Sequence, residues 1–251
     1  MITLLKGEFN QLRSGATLSY IILGLSNIIG LIYTPFMLRM IGPNEFGLYS
    51  LVASIISYLT ILDFGFSSAI IRFTAKFKAL KNERELPSLF GMFLVLYTMI
   101  GILSCLAGLV LYLNISNLFG STMNIEEISR AEIMILLMIF NLSVSFPLSI
   151  FGSIIIAYEK FIFQKLIQLS RIILNTITTI LLLLWGYKAI MLVVVSTFFN
   201  VTTLLLNFYY CRKYLKVRLE FENFNWSMLR ETSNYSFYIF LNIIVDRFYW
   251  S

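Results

Sequence analysis

The stretch LFGMFLVLYTMIGILSCLAGLVLYL, residues 89–113, decides the fold, because it carries no charged side chain over its whole length. A helix needs about 20 apolar residues to cross the hydrocarbon core of a bilayer. A membrane strand would be about 10 residues long with alternating polarity. This run is continuous and rich in leucine, so it reads as a helix, which satisfies its own backbone hydrogen bonds in lipid. The same reading extends outward to 16–38, 48–71, 131–157, 166–184 and 189–209, with a seventh run at 236–251 that reaches the last residue. The first run is too long and too far in for a cleaved leader, and no small-residue cleavage site follows it.

Composition agrees with a membrane protein. Hydrophobic residues make up 59% of the chain and charged residues 13%, and the mean hydropathy is +0.84, which excludes an ordinary soluble domain. The expected fold is all-α and integral to the membrane. It comprises an interfacial segment 1–15, a six-helix transmembrane lobe 16–209, a cytosolic linker 210–235 with an interfacial helix, and the truncated start of a second lobe at 236–251. Leu4, Leu5, Phe9 and Leu12 at the N-terminus, and Phe221, Phe224, Trp226 and Leu229 in the linker, stand among charges as they do in helices lying on a membrane surface.

The net charge of +6 is explained by its placement. With the N-terminus in the cytosol, the inner side holds Lys6 and Arg13, then Arg72, Lys76, Lys78, Lys81 and Arg84, then Lys160 and Lys165, Arg171 just inside the fifth span, and Arg212, Lys213, Lys216, Arg218 and Arg230. The outer side holds Arg39, Arg130 and Lys188. This strong positive-inside bias orients the chain, and the basic clusters read as anchors on anionic lipid headgroups rather than a nucleic-acid surface.

The chain has no histidine, which removes Ser-His-Asp and Cys-His catalysis and histidine-ligated zinc. Cys105 and Cys211 sit at different depths and cannot form a metal site. No connection is large enough for a catalytic domain. The expectation is a non-enzymatic, multi-pass protein of the plasma membrane that requires no cofactor or metal, with membrane lipids as its first partners.

Polar groups inside the spans carry most of the functional information, since ionisable residues in hydrocarbon are costly and face a partner or a cavity. Asp63 lies within the second span and must be paired, protonated or hydrated, in either a structural or a transport role; Gly65 follows closely, so the helix is expected to bend or pack tightly there. Asp246 and Arg247 are neighbours in the seventh run and point about 100° apart on a helix, so they either line a pathway or snorkel to the surface. Arg39 and Arg72 sit at span ends, where snorkelling is the default. Pro35 and Pro147 each remove a backbone hydrogen bond within a span and are candidate hinges, with Gly65. Asn27, Asn141, Asn175, Asn200 and Asn207 read as interhelical hydrogen-bonding groups.

The stretch TPFMLRMIGPNEFGLYS (34–50), followed by DFGF (63–66), AIIR (69–72) and DRF (246–248), resembles the polysaccharide repeat-unit flippases of the Wzx type, within the multidrug/oligosaccharidyl-lipid/polysaccharide exporter superfamily. The turn from Gly42 to Tyr49 is its most specific element. The resemblance implies two related six-helix lobes around a central cavity and alternating-access transport of a lipid-linked oligosaccharide, with polysaccharide-assembly proteins as further partners. It places Asp63, Asp246 and Arg247 on a substrate or ion pathway and Arg72 at a cytosolic gate or phosphate contact, where a guanidinium matches phosphate geometry. It also marks the chain as a truncated half of the full transporter. A multidrug or cation exporter of the same superfamily and a non-transporting scaffold of polysaccharide assembly are the competing expectations.

Overall fold

The computed structural model describes the backbone of residues 2–59, 63–120, 123–221 and 226–250, with side chains described except at 2–10, 83, 226–228, 246–248 and 250. The described residues form eight α-helices: α1 (Ile2–Ile41), α2 (Pro43–Leu59), α3 (Phe66–Ala79), α4 (Leu86–Phe119), α5 (Ile125–Ala157), α6 (Phe161–Leu184), α7 (Ala189–Lys213) and α8 (Trp226–Trp250). Among them, Gln11–Ile41 of α1 and the whole of α4, α5, α6 and α7 are long and apolar enough to cross a membrane. Tyr20, Leu31, Ile102, Leu113 and Phe198 are among many large apolar side chains on the outside of the bundle, the surface a multi-pass protein presents to lipid.

Local chemistry sets the helix ends. Gly42 takes φ 84° and closes α1 through its N–H to Leu38 O at 3.1 Å. Pro43 then opens α2, where its missing N–H costs nothing. Asn124 caps α5 by accepting from Glu127 N–H at 2.9 Å, while Glu127 accepts from Asn124 N–H at 3.0 Å, a reciprocal capping box. The first turns of α2 and α5 are tied by the ion pair of Arg130 with the buried Glu45; Arg130 also bonds Glu126 at 3.0 Å.

The second expected span is not one helix. Residues 48–71 divide between α2 and α3, with Asp63, Phe64 and Gly65 in the turn that leads into α3. At ~1.5 Å per residue α2 and α3 are only about 25 and 21 Å long. Phe64 has φ 49° and Gly65 φ 73°. Glycine adopts this left-handed region freely, whereas the phenylalanine costs on the order of 1–3 kcal/mol there. Phe64 is held by Phe240 of α8 and Phe66, with ring centroids 4.9 and 6.4 Å away. Residues 222–225 of the expected linker lie outside the described residues. Residues 216–221 run without helix, Glu220 N–H bonds Pro87 O at 3.0 Å, and Leu229 belongs to α8.

The central element is α5, which packs against α2, α3, α4, α6 and α7. Its closest neighbour is α4, where glycines let the backbones approach. A Cβ on Gly101 would lie 2.8 Å from Ser143 O, and one on Gly108 would collide with Ile139. Pro147 explains the first contact: it lacks the N–H that Ser143 O would accept. Despite Pro35 and Pro147, α1 and α5 run through without interruption. Two apolar clusters pack the bundle, one built on Leu48, Val52, Ile115, Ile135 and Val193, the other on Ile70, Phe73, Phe90, Phe93, Ile150 and Ile154.

Gly101→Leu is expected to wedge α4 from α5 and lower the unfolding free energy by about 1–3 kcal/mol, the usual cost of overpacking. Thermal unfolding of the purified protein in detergent checks this, with exposed Gly30→Leu as the neutral control.

Candidate functional site

The helix break places a carboxylate inside the lobe. Asp63 Oδ1 accepts from Tyr97 Oη at 2.7 Å and from Ser67 Oγ at 3.2 Å, and the two hydroxyls lie 2.9 Å apart. Three elements meet here: the turn supplies Asp63, α3 supplies Ser67 and α4 supplies Tyr97. Tyr97 is fully buried, stacked on Phe146 and edge-on to Phe66, so its hydroxyl is aimed with little freedom. The two hydroxyls supply hydrogen bonds that a part-buried carboxyl oxygen would otherwise lack. These bonds tie the turn to α3 and α4, a contact that both the structural and the transport role of Asp63 allow.

A second polar assembly lies beside it, built by three helices whose polar residues recur every three or four positions. On α5 these are Asn141, Ser145, Ser149 and Ser153; on α6, Gln164, Gln168, Arg171 and Asn175; on α7, Ser196, Asn200, Thr203 and Asn207. Such spacing puts each set on one helix face. The three faces converge on two cavities of about 560 and 380 Å³, and Arg171 and Asn200 line both.

A hydrogen-bond chain crosses this cleft. Arg171 Nη1 donates to Asn200 Oδ1 at 2.8 Å, and Asn200 Nδ2 donates to Asn141 Oδ1 at 2.7 Å and Ser145 Oγ at 2.8 Å. Ser145 Oγ donates in turn to Asn141 O at 2.6 Å. Ser67, the partner of Asp63, also lines the smaller cavity, so one hydroxyl stands between the carboxylate of the break and the space that Arg171 borders. Neither cavity is lined by an acidic side chain among the described residues.

The structure brings some of the expected site residues together and separates others. Gly65 is a tight joint: a Cβ there would lie 2.7 Å from Ile239 Cβ of α8. Arg72 lies with its guanidinium 4.2 Å from the ring centre of Tyr235, and Lys76 pairs with Glu231 at 2.9 Å, so α3 is fastened to α8 at three successive points. Asp246 and Arg247 fall on α8, but their side chains lie outside the described residues. Pro35 and Pro147 take no part in either polar assembly. Arg171 is the residue that sequence reasoning misplaced, by grouping it with the surface cations at the end of its span. The signal lay in the spacing of four polar residues from Gln164 to Asn175, which turns Arg171 inward. Asn141 and Asn200 do bond between helices as expected, whereas Asn175 and Asn207 retain buried oxygens with no protein partner.

Tyr97→Phe removes the shorter of the two bonds to Asp63. It is expected to reduce stability by about 0.6–1.7 kcal/mol, the range for polar contacts between membrane helices. Chemical unfolding in micelles measures the loss, and an effect absent in an Asp63→Ala background would assign it to this pair.

The comparisons bear on the whole arrangement. No curated protein sequence matches the chain. The fold is shared with the outward-facing conformation of a multidrug resistance MATE family transporter of the MOP superfamily, with a TM-score of 0.73 at 14% identity. The match covers 96% of this chain and 54% of that one, so the chain spans about half the length of the transporter it matches. With residues 12–251 matching the family described as polysaccharide biosynthesis protein, the chain belongs to that family.

Proposed function

We propose that the chain forms one lobe, with the first helix beyond it, of an exporter that moves a lipid-linked oligosaccharide across the plasma membrane by alternating access. The family match along residues 12–251, on a transporter fold, is the observation that carries this reading. The six spans of the lobe are α1, the broken α2–α3 pair, α4, α5, α6 and α7, and α8 begins the second lobe. The cytosol receives the N-terminus, the α3–α4 and α5–α6 turns and the α7–α8 linker, which together hold most of the lysine and arginine. Membrane lipids, the lipid-linked sugar and polysaccharide-assembly proteins are its partners.

In this reading Asp63, Asp246 and Arg247 lie along the substrate or ion pathway, and Arg72 stands at the cytosolic gate, with its exposed guanidinium available to a phosphate. The turn at Asp63–Gly65 is the element suited to movement, because it joins two short helices and needs no full-length helix to bend. A multidrug or cation exporter draws less support: a cleft whose described charge is the cation Arg171, with no acid lining it, repels cationic cargo. A scaffold for polysaccharide assembly would have no use for a polar space inside its lobe.

In cells lacking the corresponding exporter, the protein containing this chain is expected to restore surface polysaccharide. Asp63→Asn and Arg247→Gln should each reduce that export by about tenfold at equal membrane abundance, as loss of an interaction of about 1.4 kcal/mol would. Undiminished export in both variants would remove these residues from the pathway. For the orientation, phosphatase fused after Asn124 is expected to be active, and fused after Lys160 or Lys213 inactive; the reverse pattern would invert the topology.

A further inference from the structure

The residue that the transport reading leaves unused is Arg171. Its guanidinium stands inside a membrane lobe, bonded to one protein acceptor, Asn200 Oδ1 at 2.8 Å. Among the described residues no carboxylate forms an ion pair with it. Guanidinium carries several N–H donors in a fixed planar fork and cannot discharge by losing a proton. A cation held this way is costly unless an opposite charge or ample hydration completes its shell. Arg171 borders both cavities, so the space beside it is open to a ligand.

The walls of that space have matching chemistry. Asn175, in the larger cavity, and Gln164 and Asn207, in the smaller, end in buried atoms with no protein partner. Asn207 is only 3% exposed. Rotation of such an amide by half a turn presents its NH2 group in place of its oxygen, which makes these side chains donors toward a negative ligand. Gly152 keeps the smaller cavity open: a Cβ there would stand 3.3 Å from Gln164 Nε2 and 3.4 Å from Asn207 Nδ2. One cation, several amides and hydroxyls, and no lining acid form a surface that favours anions and repels metal cations.

We propose that the cleft between α5, α6 and α7 binds a small inorganic anion, with Arg171 supplying the charge and Gln164, Asn175 and Asn207 supplying donors. The anion neutralises the guanidinium within the lobe and fills the open side of the Arg171–Asn200–Asn141 chain. The proposal stands whether or not the transport reading does.

The test uses thermal unfolding of the purified protein in detergent, with chloride as the probe. Sodium chloride, potassium chloride, choline chloride, sodium bromide and sodium gluconate are compared at equal ionic strength. The unfolding temperature is expected to be higher by about 2–4 °C in the halide salts than in gluconate, whatever the cation, and to saturate with halide concentration. Arg171→Gln should abolish the difference, while Arg171→Lys, which keeps the charge, should retain part of it. A wild-type protein that responds equally to chloride and gluconate, or that follows sodium instead of chloride, would overturn the proposal. Should Arg171→Gln fail to fold, anomalous scattering from wild-type crystals grown in bromide decides: a peak beside Arg171 supports the site, and none there at saturating bromide refutes it.

Discussion

The approach of α4 to α5 governs the rest of the lobe. Lipid tails are as apolar as leucine, so helices in a membrane associate through close packing and hydrogen bonds rather than through release of water. Gly101 and Gly108 supply the closeness, and Pro147 sets a freed carbonyl, Ser143 O, against the first of them. With α4 drawn in, Tyr97 is buried against Phe146 and its hydroxyl reaches Asp63. The carboxylate of the broken helix is therefore satisfied by a contact whose geometry is fixed two helices away. The opposite face of α5 is left to α6 and α7, where its column of Asn141, Ser145, Ser149 and Ser153 meets their polar residues around the two cavities.

This division of α5 into a close-packed face and a polar face gives the lobe its layers. Apolar clusters pack α4 and α5 along their length, and the polar cleft runs beside them, with Arg171 and Asn200 lining both of its cavities. Polar groups in such a layer are expensive individually and stable collectively, because each bond polarises the next and no competing water fills every position. The arrangement suits a body that moves as a unit within a membrane, since the groups that would suffer from contact with lipid are enclosed by its own helices.

Much of this was legible in the sequence, for a simple reason: the bilayer imposes a minimum length on every helix and forbids unsatisfied backbone. That constraint is visible as runs of leucine and isoleucine, and the glycine–proline pair at 42–43 marks the first turn directly. The break at Asp63 was harder to read. Hydropathy averages over a window and sees one apolar run from 48 to 71, whereas the geometry depends on two residues of positive φ and on Phe240, nearly two hundred positions away. Gly65 hinted at it; the strained Phe64 gave no sign, because phenylalanine rarely adopts that conformation. Arg171 was misread because counting charges by loop rewards any cation near a span end. Its direction comes from helical spacing with Gln164, Gln168 and Asn175, and its consequence from two other helices carrying polar residues at the same spacing.

The attachment of α3 to α8 has a mechanical meaning. Gly65 against Ile239, Arg72 on Tyr235 and Lys76 with Glu231 form a ladder of contacts along one side of α3, while the upper part of the same span, α2, is anchored to α5 through Glu45 and Arg130. Both α2 and α3 pack on α5, and α3 is also fastened to α8. A displacement of α8 would therefore be felt along α3 as far as Asp63–Gly65, where the described chain departs from helix. Asp63, bonded to Ser67 of α3 and Tyr97 of α4, sits at the head of that line of contacts, so a shift of α8 reaches α4 through one carboxyl group.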